Sequence, residues 1–148
     1  MREEQVTRTI LQWLENMGWC ILDYDFPGGG TGREFHLSEN SSEKNKGIVI
    51  PDIIATRDGS LVLFEDKAED TLSDYQKIRQ LSSNPEFSEL LRKAYPEKKI
   101  DNIIWGIGYS GTPKHLNQAS SYHIDIIVQV VDVGQGKHDC SIVYGRNL

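Results

Sequence analysis

The chain has 148 residues, a single-domain length, and its 38% hydrophobic and 26% charged residues suffice for one buried core beneath a solvated surface. Lys and Arg number 16 against 22 Asp and Glu, a net charge of −6, which argues against a protein that coats nucleic acid through its phosphates. The balance argues less against an enzyme acting on phosphates, because metal ions can neutralise an acidic pocket. No run approaches the roughly 20 apolar residues of a membrane span. The first ten residues, MREEQVTRTI, are charged where a secretory signal would be apolar, so a cytoplasmic protein with no membrane partner is expected. Cys20 and Cys140 are too few for a disulfide scaffold, and the 4 histidines are too scattered for a zinc cluster.

In chain order, Val6, Ile10, Trp13, Leu14 and Met17 recur at helical spacing and predict a helix over residues 3–17, stopped by Gly18. Residues 19–26 read as a strand. A polar stretch follows over 27–46, opening on Gly28-Gly29-Gly30-Thr31-Gly32; without the Lys-Ser/Thr of a P-loop it reads as a flexible loop. Residues 48–57 and 60–68 are β-rich runs on either side of Asp58-Gly59, a two-residue hairpin signal. Helices are predicted over 73–82 and 85–95, the second with Asn84 as N-cap and Pro85 at its first position. Strands over 103–109 and 124–133 follow, and 141–144 reads as an edge strand after Gly134-Gln135-Gly136. This order predicts one domain over 1–148 of mixed α/β class, a central mixed sheet flanked by helices.

The hairpin carries the chemistry. If Asp58 and Gly59 form the turn, Arg57 pairs with Ser60, and the same register sets Asp52 opposite Glu65, with Cβ atoms about 4.5–5.5 Å apart. Lys67 shares the Glu65 face, and Asp66 points from the other. As plain structure, Pro51-Asp52 is a strand opening and Glu65/Lys67 a cross-strand ion pair. Two opposed carboxylates destabilise a hairpin, however, and apolar neighbours on both faces argue for a covered sheet. Such a pair needs a counter-charge, from Lys67 or from a divalent cation. Mg2+ binds through one or two carboxylates and activates water at a phosphate, while a lysine beside it stabilises developing charge.

Pro51-Asp52, a short spacer and Glu65-Asp66-Lys67 resemble the motif of the PD-(D/E)xK nuclease superfamily, which includes restriction endonucleases, resolvases and repair nucleases. At sequence level the resemblance rests on the hairpin; in element order it covers residues 2–109. It implies a restriction endonuclease-like αβββαβ core and metal-dependent hydrolysis of DNA phosphodiester bonds. By that likeness Asp52 and Glu65 ligate Mg2+, with Mn2+ able to substitute, the Asp66 backbone carbonyl adds a ligand, and Lys67 is the catalytic lysine. Many members also bring a glutamate from the first helix to the metal. Glu4 is the first candidate here and Glu3 the second, although acids at a helix N-terminus are also favoured by the helix dipole.

Gln76 corresponds to a polar residue that some members carry on the following helix, but Ser73-Asp74-Tyr75-Gln76 reads better as a capping box. Glu69 and Asp70 read as solvated surface. Arg33, His36, Lys44 and Lys46 of the long loop are candidate contacts to double-stranded DNA, with Lys114 and His115 as a second patch; ordinary loop surface is the competing account for both. The resemblance points first to a small type II restriction endonuclease, for which a homodimer with one site per strand is expected from the class. A Holliday junction resolvase or repair nuclease is the alternative, though these usually carry an evident basic surface. A non-catalytic DNA- or protein-binding subunit of the same fold is the reading that the acidic charge favours.

Overall fold

The computed structural model describes residues 1–38 and 47–148. Its first element, α1 (Glu3–Asn16), turns Val6, Thr7, Ile10 and Leu14 inward at helical spacing. Gly18, with φ at +87°, takes the left-handed conformation that ends the helical turn. The chain then forms β1 (Cys20–Phe26), β2 (Gly29–Gly30), β3 (Phe35–His36), β4 (Ile48–Val49), β5 (Ile53–Arg57) and β6 (Ser60–Lys67). Two helices follow, α2 (Leu72–Ser82) and α3 (Pro85–Ala94), and then β7 (Asn102–Ser110), β8 (Ile126–Gly134) and β9 (Lys137–Gly145).

Seven strands make one mixed sheet in the order β2-β1-β5-β6-β7-β8-β9, while β3 and β4 pair in a small sheet of their own. The pairs β6/β7 and β7/β8 are parallel and the others antiparallel. A parallel pair needs a long crossover, which α2 and α3 supply between β6 and β7. The β5–β6 hairpin turns on Asp58 and Gly59, both with positive φ as a type I′ turn requires, and pairs Arg57 with Ser60 through to Ile53 with Phe64.

Side-chain alternation divides the core between the two faces. From β6, Val62 and Phe64 pack with Ile10 and Leu14 of α1, while Leu61 and Leu63 pack with Ile78 of α2 and Phe87 and Leu91 of α3. Asn84 caps α3 as expected, accepting a bond from the Glu86 N–H at 3.0 Å ahead of Pro85. Among the described residues no helix is long and apolar enough to cross a membrane.

Three expectations are corrected. The run 48–57 is two strands: Ile48 and Val49 pair with β3, and the main-sheet strand begins only at Ile53. Pro51 accounts for the break, because it has no N–H for a ladder. Within 27–46, Gly29–Gly30 and Phe35–His36 are strands, so the described part is more than a loop. The last strand is nine residues long, from Lys137 to Gly145, and pairs along β8 after a Gln135-Gly136 turn.

Candidate active site

The hairpin ladder stops at Ile53/Phe64, leaving Glu65, Asp66 and Lys67 as three residues of β6 that extend past its partner on that side. β7 still supports them from the other side, pairing Glu65 with Ile107, Asp66 with Gly108 and Lys67 with Tyr109. Asp52 closes the open edge: its Oδ2 accepts the Asp66 N–H at 2.7 Å, and its backbone carbonyl accepts the Asp25 N–H from β1 at 2.9 Å. The expected opposition of Asp52 and Glu65 is therefore met by a side chain in place of a ladder pair. The N–H and C=O of one strand residue project to the same side, so the Asp66 carbonyl also lies toward Asp52.

Asp52 and Glu65 are neighbours whose charges act on each other. Burial raises the Asp52 pKa above the ordinary carboxylate value, against the stabilising Asp66 N–H. Glu65 is raised further, first by burial and then by the Asp52 charge. Its counter-ion is Lys77 of α2, whose Nζ lies 3.0 Å from Glu65 Oε1. Lys67 leaves the strand on the Glu65 face, but its side chain is 48% exposed and its Nζ reaches Glu3 at the start of α1, 3.4 Å from Oε1. Burial depresses the Lys67 pKa, but Glu3, Asp74 and Asp52 more than offset this and hold it above the usual lysine value. Asp52, Glu65 and Lys77 thus meet at the end of β6, while Lys67 pairs beside them with Glu3, near Asp74.

The first-helix acid nearest the motif lysine is Glu3. Glu4 instead lies 3.5 Å from Arg8, one turn along the helix. Gln76 is exposed on α2, and the helix is capped two residues earlier than expected: Thr71 is the N-cap, and its hydroxyl donates to Asp74 at 2.9 Å. Lys77 was missed by sequence reasoning, yet a signal existed. Asp74 interrupts the apolar stripe of Tyr75, Ile78 and Leu81 with a buried acid, and Lys77 follows it at helical spacing.

The other candidates are placed elsewhere. Arg33 lies 3.4 Å from Asp23 and 5.0 Å over the Tyr95 ring, while the Tyr95 hydroxyl also donates to Asp23. The Arg33 side chain makes these contacts while remaining 42% exposed at the surface. His36 is exposed, 3.6 Å from Glu34. Lys44 and Lys46 lie outside the described residues. Glu69 is exposed as expected, but Asp70 is 2% exposed, and its Oδ2 accepts the backbone N–H groups of Lys114 and His115 at 2.6 and 2.8 Å. The surface reading of Asp70 is corrected: it anchors the loop that carries those two residues.

Among the described residues, no three His, Cys, Asp or Glu side chains form a ready metal cluster. Mg2+ does not require one, since two carboxylates can suffice with water and phosphate oxygens completing the shell. The Asp52–Glu65 pair could serve as such a donor set, two hard oxygen donors brought together in a buried place, with Lys77 as the counter-charge already present. Asp66 does not belong to it. Its carboxylate lies on the α1 face, accepts the Thr7 hydroxyl at 2.9 Å, and is pushed well above the usual carboxylate range by burial. Compared with known protein families and with curated proteins, the chain matches none.

Proposed function

We propose that the protein is a divalent-metal-dependent DNA endonuclease of the PD-(D/E)xK type, and that a small type II restriction endonuclease is the form that best suits it. The observation that carries this reading is the convergence of Asp52 and Glu65, flanked by Lys67 and Lys77, at the end of the central strand β6. With the short strands β2–β4 and helix α3 set aside, the element order α1, β1, β5, β6, α2, β7 is compatible with the αβββαβ order that the motif's resemblance implies.

Asp52 and Glu65 would hold Mg2+ or Mn2+, with the Asp66 carbonyl beside them. When bound, the cation lowers the pKa of a coordinated water and polarises a phosphoryl oxygen. Lys67 remains an ammonium at neutral pH, because the acids around it raise its pKa. It therefore serves as a hydrogen-bond donor that orients the attacking water and stabilises charge on the phosphate, not as a base. Glu3 positions Lys67 by pairing with its Nζ. Asp52 does double duty, since the oxygen that accepts the Asp66 N–H also fixes the carboxylate's angle toward Glu65.

Double-stranded DNA is the proposed substrate, and a two-fold dimer would bring one site to each strand. The test is cleavage of mixed-sequence duplex DNA with Mg2+ by wild type, Asp52→Ala and Lys67→Ala. Discrete fragments from wild type alone are expected. Failure of wild type to cut duplex, branched or single-stranded DNA with any of several divalent metals would overturn the reading in favour of a binding subunit.

A further inference from the structure

The motif lysine is not the counter-ion of the motif glutamate. Lys67 Nζ pairs with Glu3 toward α1, whereas the cation on Glu65 comes from another element, Lys77 on α2. The two partners of this second pair differ in freedom. The Glu65 side chain is 4% exposed and fixed within the sheet, while the Lys77 side chain is 43% exposed on a four-carbon stem. Tyr75, Ile78 and Leu81 bury the helix on either side of Lys77, so its Cα is held and only the stem can swing.

We propose that Lys77 is a second functional lysine, a resident counter-ion that leaves Glu65 when a divalent cation binds and then engages a non-bridging oxygen of the substrate's phosphodiester. The inference rests on the nuclease reading above and adds a residue to it. The physical argument is one of exchange. While Glu65 is ionised, a carboxylate this buried is costly without a counter-charge, so Lys77 stays on it until another cation takes its place. A divalent ion on Asp52 and Glu65 would then repel the ammonium toward the open side of the site. A phosphodiester arriving there presents the oxygen that a lysine binds as a point charge. The lysine is thereby kept out of the metal's position and close to the place where the substrate's charge will sit.

Two measurements test this on the full chain, using Lys77→Met, which keeps the apolar stem, and Lys77→Arg, which keeps the charge. Circular dichroism first establishes that both are folded. In calorimetric titration with Mg2+ alone, Lys77→Met should bind about tenfold more tightly than wild type, because a competing positive charge has been removed. Lys77→Arg should stay within about twofold of wild type. In the second measurement, binding to a hydrolysis-resistant phosphorothioate duplex in Mg2+ is followed against salt. Lys77→Met should lose about one unit of the slope of log affinity against log salt, and Lys77→Arg should retain it. Equal or weaker Mg2+ binding by Lys77→Met, or an unchanged salt slope, overturns the proposal. If wild type binds Mg2+ and cuts DNA while Lys77→Met matches it in both assays, only this inference fails. If wild type binds no divalent metal and cuts nothing, the nuclease reading fails with it.

Discussion

Glu65 and Asp66 are neighbours on β6, both almost wholly buried and both with pKa values pushed well above the usual carboxylate range. Strand alternation sends them to opposite faces. Toward α2, Glu65 meets a second acid and the Lys77 ammonium. Toward α1, Asp66 meets the Thr7 hydroxyl, and among the described residues its Oδ1 has no hydrogen-bond partner. Burial with a shifted pKa is common to both, so it does not by itself mark a functional acid. What separates them, among the described residues, is the counter-charge: the Asp52 charge raises both acids, but a lysine from another element pairs with Glu65 and not with Asp66.

The sharpest way to break this comparison is to neutralise each acid in turn. Glu65→Gln should lower Mg2+-dependent DNA cleavage by at least about 10³-fold, the scale of losing a main electrostatic element of a site. Asp66→Asn should stay within about fivefold of wild type, because it removes charge on the far face. Equal losses in the two variants would show that the faces do not divide the labour. The next largest effect concerns what Asp66 lies against. A Cβ on Gly108 would come within 2.5 Å of Asp66 Oδ1 and closer still to Ile10 Cδ1. Gly108→Ala should therefore cost about 2–3 kcal/mol in urea unfolding. A variant as stable as wild type would mean that the α1 face has slack.

The smallest effect is in pH dependence without metal. Both carboxyls keep a proton in the folded chain to higher pH than in the unfolded chain, whose value is about 4. Their contribution to stability is thus complete below about pH 4 and is lost as pH rises through the raised folded values. The melting temperature should fall as pH rises above about 4. Asp66→Asn should flatten part of that fall and raise the melting temperature at pH 8 by roughly 3 °C. Added Mg2+ should flatten the Glu65 share and leave that of Asp66. A wild-type curve without a fall would contradict both shifts.

Much of this geometry was legible in the sequence because one turn determines it. Asp58-Gly59 accepts the positive φ angles of a two-residue turn, and from that turn the register of the hairpin follows through to Ile53 and Phe64. The reading failed where local pattern stops governing. Ile48 and Val49 look like a continuation of the strand, but Pro51 lets the chain leave the ladder and pair elsewhere. Glu3 and Glu4 are indistinguishable as acids in a first turn, and only the rotation of α1 against the sheet brings Glu3 to Lys67. Lys77 required the packing of α2 to be known. Asp70, a polar residue in an apparent loop, looked like surface because its partners, the 114–115 backbone N–H groups, are far away in sequence.

Asp70 has one more consequence, a mechanical one. Its carboxylate takes two amides from the loop after β7, and close by the Ser110 hydroxyl donates to the Ala68 carbonyl at 2.7 Å. The segment leaving β6 and the segment leaving β7 are thereby stitched together beside Lys67. These bonds should couple their opening, so that the two segments behave as one unit. The amide protons of Lys114 and His115 should exchange with solvent at the pace of that unit, and the rim of the site is correspondingly stiff for a pair of loops.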